Sequence, residues 1–317
     1  MVGRASAPIL QLSDARPTGP EAGRDRGNAY ERARPLAAEG SMDWGLANRM
    51  HRMFSPATHN TVMLAVDHGY FMGPTHRLEN AGATVAPLLP YADALALTRG
   101  MLRHTVPPTA QTPIVLRVSG GATILQDDLS HEAVTTSMTD AMRLNVCAVA
   151  LSVFIGAPHE HESLVHLGDL VNDGEQAGMP VMAITAVGKE LEKRDARYLA
   201  LACRVSAEMG AHIVKTYFCE GFSKVVEGCP VPIVVAGGPK LDSDRAALEL
   251  ARHAIDEGAH GIDMGRNIWQ SDHPVPMLKA LRAIVHDKAT VNEAMDILAA
   301  EKGPEVAAPR ARRPQPS

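Results

Sequence analysis

Lys215 is the residue whose surroundings most directly suggest chemistry. It lies inside the run His212-Ile213-Val214-Lys215-Thr216-Tyr217-Phe218. That run is built of β-branched and aromatic residues without Pro or Gly, which predicts a strand. Strand alternation puts Ile213, Lys215 and Tyr217 on one face and Val214, Thr216 and Phe218 on the other. An ammonium in an apolar strand has lost its water, and desolvation favours the neutral amine. A neutral amine attacks a carbonyl carbon and forms a Schiff base. An edge strand with a solvated lysine is the plainer reading, and the remaining residues speak against it.

Other reactive side chains recur at the ends of similar runs. Asp67 and His68 close one of them, in Asp67-His68-Gly69, and Asp67 is placed to move protons. Lys189 follows another run. A second cation beside Lys215 would lower its pKa further, whereas a surface lysine opening a helix, with Glu190, Glu192 and Lys193 after it, is the alternative. Gly237-Gly238 and Gly265-Arg266 end two more runs. Paired glycines let backbone N–H groups approach an anion, and an arginine adds a charge-assisted fork, so these four residues predict a phosphate cradle. By alternation Arg117 and Asp263 also point inward, where charges must be paired; an Arg117–Asp263 or Arg117–Asp67 pair is the expected arrangement.

The elements that must carry these residues repeat one pattern. Short β-prone runs cover Val62–Asp67, Ala94–Arg99, Ile114–Ser119, Ala148–Ile155, Pro180–Val187, His212–Phe218, Ile233–Gly238 and Gly261–Gly265. Segments of helical spacing lie between them, clearest at 159–178, 190–210 and 242–258. Asp242 or Ser243 supplies an N-cap, and Gly178, Gly210 and Gly258 are placed to stop helices. Eight β-then-α units predict a single α/β domain, a (β/α)8 TIM barrel, over an open doubly wound sheet. In a barrel the chemistry belongs at the C-terminal ends of the strands, where these polar residues fall. Residues 1–41 and 303–317 lack periodicity and read as disordered extensions of a barrel spanning 42–302.

Composition narrows the function classes. The chain has 317 residues, 45% of them hydrophobic, which supports a large core, and a net charge of −5 gives no general affinity for nucleic acid or an anionic membrane. Four cysteines without metal-like spacing read as free thiols in a reducing cytoplasm. No apolar run suffices to cross a bilayer. His159-Glu160-His161-Glu162 lacks the i, i+4 histidine pair of a zinc helix and reads as a solvated first turn, so no metal is predicted. Cys219 reads as a bystander.

The chain resembles the class I aldolase-type barrels, the family that holds the archaeal-type fructose-bisphosphate aldolases, and is most similar to its thiolase branch. The matching segments include Met42-Asp43-Trp44-Gly45, Asp67-His68-Gly69-Tyr70-Phe71, Thr98-Arg99-Gly100, Lys215-Thr216-Tyr217 and Asp263-Met264-Gly265-Arg266-Asn267-Ile268. The resemblance implies that Lys215 is the Schiff-base lysine, that Asp67 is an acid/base or orienting residue, and that Gly237, Gly238, Gly265 and Arg266 cradle a phosphate. It implies a phosphorylated ketone as substrate, no bound cofactor, coenzyme A as co-substrate in the thiolase branch, and a ring-like homo-oligomer. One position departs. Phe154 stands where the family resemblance implies a tyrosine used for proton transfer, so Tyr70, Tyr217, His68 or a water must replace it. An ordinary sugar-phosphate aldolase is thereby disfavoured. The alternatives are an aldolase or synthase joining a dihydroxyacetone-phosphate-like donor to an aldehyde, and a non-catalytic phosphosugar-binding barrel.

Overall fold

Eight short apolar runs become eight parallel strands. The structure, a computed structural model, describes residues 42–186 and 195–300. The barrel strands are β1 (Thr61–Ala65), β2 (Ala94–Thr98), β3 (Ile114–Arg117), β6 (Ala148–Val153), β7 (Val181–Thr185), β8 (Ile213–Tyr217), β9 (Ile233–Ala236) and β10 (Gly261–Met264). They close in the order β1-β10-β9-β8-β7-β6-β3-β2, every neighbour parallel. The predicted barrel is therefore closed, not open. The strands are a residue or more shorter than the β-prone runs, because described residues at the run ends, such as Asp67, Ile155 and Gly238, leave the sheet at the mouth. Two further strands, β4 (Ser119–Gly120) and β5 (Ala133–Val134), form a separate antiparallel hairpin above the barrel. The sequence pattern did not announce it.

Both faces of each barrel strand are covered, which is why the strands read as near-continuous apolar runs. Val62, Leu64 and Val66 pack outward with the helix layer. Met63, Val115, Met182, Ile213 and Val234 fill the interior. Helix α1 (Trp44–Met53) precedes β1 and plugs the N-terminal end: Leu46, Met50, Met53 and Phe54 pack on those interior residues. Asp43 caps it through Gly45 N–H, and Arg49 Nη1 donates to Gly178 O at 2.9 Å. The outer layer contains α2 (Gly69–Met72), α3 (Ala81–Val85), α4 (Arg99–Thr105), α5 (Met138–Arg143), α6 (Glu160–Ala177), α7 (Ala196–Glu208), α8 (Phe222–Gly228), α9 (Asp244–Asp256), α10 (Arg266–Trp269), α11 (Pro274–Asp287) and α12 (Val291–Ala300).

Predicted punctuation falls where expected. Ser243 is the N-cap of α9, accepting from Ala246 N–H, and Gly178 ends α6 in the left-handed region. His159-Glu160-His161-Glu162 forms the cap and first turn of α6. Gly261 has φ +141°, and a Cβ there would sit 2.0 Å from Thr61 O, so only glycine lets β10 close against β1.

Candidate active site

With the N-terminal end plugged, the C-terminal end of the barrel opens into a pocket. Its wall contains Asp67 and His68 after β1, Lys215 and Tyr217 on β8, Gly237 and Gly238 after β9, and Gly265 and Arg266 after β10. Eight of the nine predicted site residues thus meet in one cavity. The ninth, Lys189, lies outside the described residues.

Lys215 is buried, 8% exposed, and its Nζ lies 2.7 Å from Asp263 Oδ2. This corrects the expected Arg117–Asp263 pairing: Asp263 serves the lysine. It also corrects the expected protonation. Burial does oppose the ammonium, but the carboxylates of Asp263 and Asp67 outweigh it and hold the lysine pKa above its ordinary value. At rest Lys215 is an ammonium. Asp263 moves the same way. Burial raises its pKa more than Lys215 lowers it, so its carboxylate is an eager proton acceptor. Asp263 is the carboxylate placed beside Nζ to take its proton when a carbonyl arrives.

Arg117 organises the opposite side. Its Nη1 donates to Asp67 Oδ2 at 3.2 Å, the alternative pairing predicted from strand alternation. Its Nη2 donates to Tyr70 Oη at 2.5 Å, to Glu132 Oε2 at 3.1 Å and to Ser152 Oγ. The guanidinium also lies over the Tyr70 ring, 3.8 Å from its centroid. Burial disfavours the charge on Arg117, but Tyr70, Glu132 and Asp67 more than restore it. Asp67 stays a carboxylate: burial raises its pKa, yet Lys215, Arg117 and His68 together bring it below the usual value. Burial keeps Tyr70 a neutral phenol, with its pKa pushed above the ordinary tyrosine value.

Glu132 was not foreseen. It is 7% exposed and lies just before β5, so the hairpin lowers one carboxylate into the pocket. Tyr70 Oη donates to its Oε1 at 2.7 Å and Ser119 Oγ to its Oε2 at 2.7 Å. No spacing in the sequence marks it, since its segment lacks periodicity. Ser152 could have been found, because strand alternation carries Ala148, Ala150, Ser152 and Phe154 inward together. Phe154 does line the pocket, and presents a ring where a hydroxyl would be reactive.

His68 is a neutral imidazole. Burial is the main reason its pKa falls to about 4, with Lys215, Arg266 and Arg117 adding to it against the pull of Asp67. Its ring meets Trp269 edge-on at 5.7 Å. Gly265 is required there: a Cβ would lie 2.5 Å from Ala65 O and 2.6 Å from His68 Cε1. The loop after β9 is held by Asn267, which is fully buried. Its Nδ2 donates to Gly237 O at 2.8 Å and Pro239 O at 3.2 Å, and its Oδ1 accepts from Leu241 N–H at 2.8 Å. Gly238 in that loop has φ +66°. Cys219 is 9% exposed and does not line the pocket, so it remains a bystander. Cys147, Cys203, Cys219 and Cys229 are all free and buried. No helix among the described residues is long and apolar enough to cross a membrane.

Residues 61–271 match the model of the DeoC/LacD family aldolases, which is more than half of the chain. The chain belongs to the DeoC/LacD family of aldolases. It is an enzyme of the class I aldolase type. It is 55% identical over 264 residues to the 3-hydroxy-5-phosphonooxypentane-2,4-dione thiolase of Escherichia coli O139:H28, covering 83% of this chain and 90% of the relative. It is 52% identical over 285 residues to the thiolase of the same name from Yersinia enterocolitica, covering 89% of this chain and 97% of the relative. Among solved structures, an archaeal fructose 1,6-bisphosphate aldolase superposes with TM-score 0.69 at 24% identity, over 76% of this chain and 99% of that one. A fructose-bisphosphate aldolase from Slackia heliotrinireducens superposes with TM-score 0.71 at 18% identity, over 86% and 96%. These likenesses agree with the closed barrel. Class I aldolase membership also removes the non-catalytic binding barrel from the alternatives.

Proposed function

We propose that this family member cleaves a phosphorylated β-diketone through a Schiff base on Lys215 and passes the acetyl group to coenzyme A. The observation that carries the mechanism is the buried Lys215–Asp263 pair at 2.7 Å inside the mouth pocket. Asp263 accepts the lysine proton, Nζ adds to the ketone nearest the phosphate, and water leaves to give an iminium. The coenzyme A sulfur adds to the acetyl carbonyl. Collapse breaks the C–C bond, and the electron pair flows into the iminium to give an enamine. Protonation at carbon and hydrolysis then release dihydroxyacetone phosphate and free Lys215.

The other residues have roles that follow from their places. Arg266, with the backbone of Gly237, Gly238 and Gly265, holds the phosphate. Asp67, fixed by Arg117, offers a permanent negative charge that favours the iminium. His68, neutral, closes the wall beside Gly265. Tyr217 borders the substrate from β8, and Phe154 gives the acetyl methyl an apolar wall. The 55% identity to a thiolase of this substrate supports the choice of acceptor. The same reading expects a cytoplasmic enzyme, since coenzyme A is an intracellular thiol, and keeps the ring-like homo-oligomer that the family resemblance implies.

The test is turnover of 3-hydroxy-5-phosphonooxypentane-2,4-dione with and without coenzyme A. Acetyl-coenzyme A and dihydroxyacetone phosphate should appear in equal amounts, and only with coenzyme A present. Aldol turnover of dihydroxyacetone phosphate with an aldehyde, and none with coenzyme A, would instead establish the aldolase or synthase reading.

A further inference from the structure

Lys215 and Asp263 account for making the amine, but neither accounts for the proton that must reach carbon when the enamine is quenched. Once the Schiff base forms, Nζ has become part of the intermediate. Asp263 lines the same pocket, but the proton it takes from Lys215 leaves with the water of Schiff-base formation. Asp67 is held by Arg117 as a carboxylate, and Phe154 has no transferable proton. His68, with a pKa near 4, is a poor carrier at neutral pH. Tyr70 is a phenol that lines the pocket with a carboxylate hydrogen-bonded to it.

We propose that Tyr70 and Glu132 act as one proton-transfer couple, Tyr70 as the catalytic residue facing the reacting carbon and Glu132 as the store behind it. The proposal rests on the Schiff-base reading above. Tyr70 and Glu132 both line the pocket of Lys215. Tyr70 Oη donates to Glu132 Oε1 at 2.7 Å while accepting from Arg117 Nη2 at 2.5 Å, so the phenol is held between a proton acceptor and a fixed positive charge. Ser119 Oγ and Arg117 Nη2 hold the second oxygen of Glu132 at 2.7 and 3.1 Å. The β4–β5 hairpin lies outside the barrel sheet, and through Glu132 it adds a carboxylate to the pocket.

The step balances without any other reactant. When a C–H bond next to the iminium breaks, its electron pair forms the C=C bond and the C=N π pair moves onto nitrogen. The proton passes to Tyr70 Oη as the phenol's own proton passes to Glu132. In the productive direction Glu132 first takes up the proton given up by the acceptor thiol, and then passes it to Tyr70 as Tyr70 delivers its own proton to the enamine carbon, so the couple ends as it began, with the proton on the phenol. The proton so delivered equals the one given up by the acceptor thiol.

The experiment uses dihydroxyacetone phosphate with the full chain. Borohydride trapping reads Schiff-base formation, and exchange of the carbon-bound hydrogen into D2O, followed by NMR, reads proton transfer. Tyr70→Phe and Glu132→Gln should keep the wild-type yield of adduct yet lose exchange by about 10²–10⁴-fold. The double variant should be no slower than the slower single one, because the two act as a unit. The wild-type exchange rate in mixed H2O and D2O should curve, as two moving protons require; this readout needs no substitution. A linear dependence would overturn the proposal. So would exchange within about threefold of wild type in Tyr70→Phe, or joint loss of adduct and exchange in variants that melt like the wild type. Absence of a wild-type adduct would overturn the underlying Schiff-base reading itself, a separable result.

Discussion

At the residue scale the site works by setting protonation states apart. Lys215 is held as an ammonium and Asp67 as a carboxylate by charged neighbours, while burial keeps Tyr70 a phenol and His68 a neutral imidazole. His68 carries a stability consequence. Its pKa is about 4 in the folded chain against about 6.5 unfolded, so between these values the unfolded chain binds more protons. Its contribution is complete above pH 6.5 and is lost as pH falls toward 4, up to roughly 3 kcal/mol. Melting curves at pH 8 and pH 5 should show a smaller acid loss in His68→Gln than in wild type; an equal loss would contradict the buried neutral imidazole. Lys215 was legible in the sequence because a lysine inside a β-branched run is conspicuous. Its charge state was not, since that depends on Asp263 and Asp67, which reach it from two other strands. Burial alone predicts a depressed pKa, and the carboxylates reverse the sign.

At the scale of elements, short segments aim the residues that the strands present. Asn267, in the four-residue helix α10, ties the Gly237–Pro239 loop to the end of β10 through two carbonyls. Asn267→Ala leaves buried carbonyls without donors, a cost of about 1–3 kcal/mol that falls on the proposed phosphate loop. We expect KM for the phosphorylated ketone to rise about tenfold or more with little change in kcat. A fall in kcat at unchanged KM would place the loop elsewhere in the reaction. The eight strands, the cap at Ser243 and the stop at Gly178 were readable from local propensity, because each depends on neighbours in sequence. The β4–β5 hairpin was not. Two-residue strands have no period to detect, and Glu132 finds Arg117 and Tyr70 only through the closed barrel.

At the scale of the whole molecule, stability and chemistry occupy opposite ends. Helix α1 closes the N-terminal end with Met50, Met53 and Phe54, each at most 1% exposed, while the pocket opens at the other end. Phe54→Ala should therefore lower unfolding free energy by about 3–5 kcal/mol, seen as a shifted urea midpoint, and leave kcat/KM unchanged. A matching loss of activity in folded protein would mean that the plug and the mouth are coupled. The closed barrel could be argued from the count of βα units. The division of labour between the ends follows from it, because buried apolar strand starts and polar strand ends cannot share one environment.

The most direct measurement is borohydride reduction in the presence of dihydroxyacetone phosphate, followed by peptide mass spectrometry of wild type and Lys215→Met. The expected result is one reduced adduct on Lys215, absent in a Lys215→Met variant that remains folded. Failure to trap any adduct, or an adduct on a different lysine such as Lys189, would contradict the assignment of Lys215 as the nucleophile.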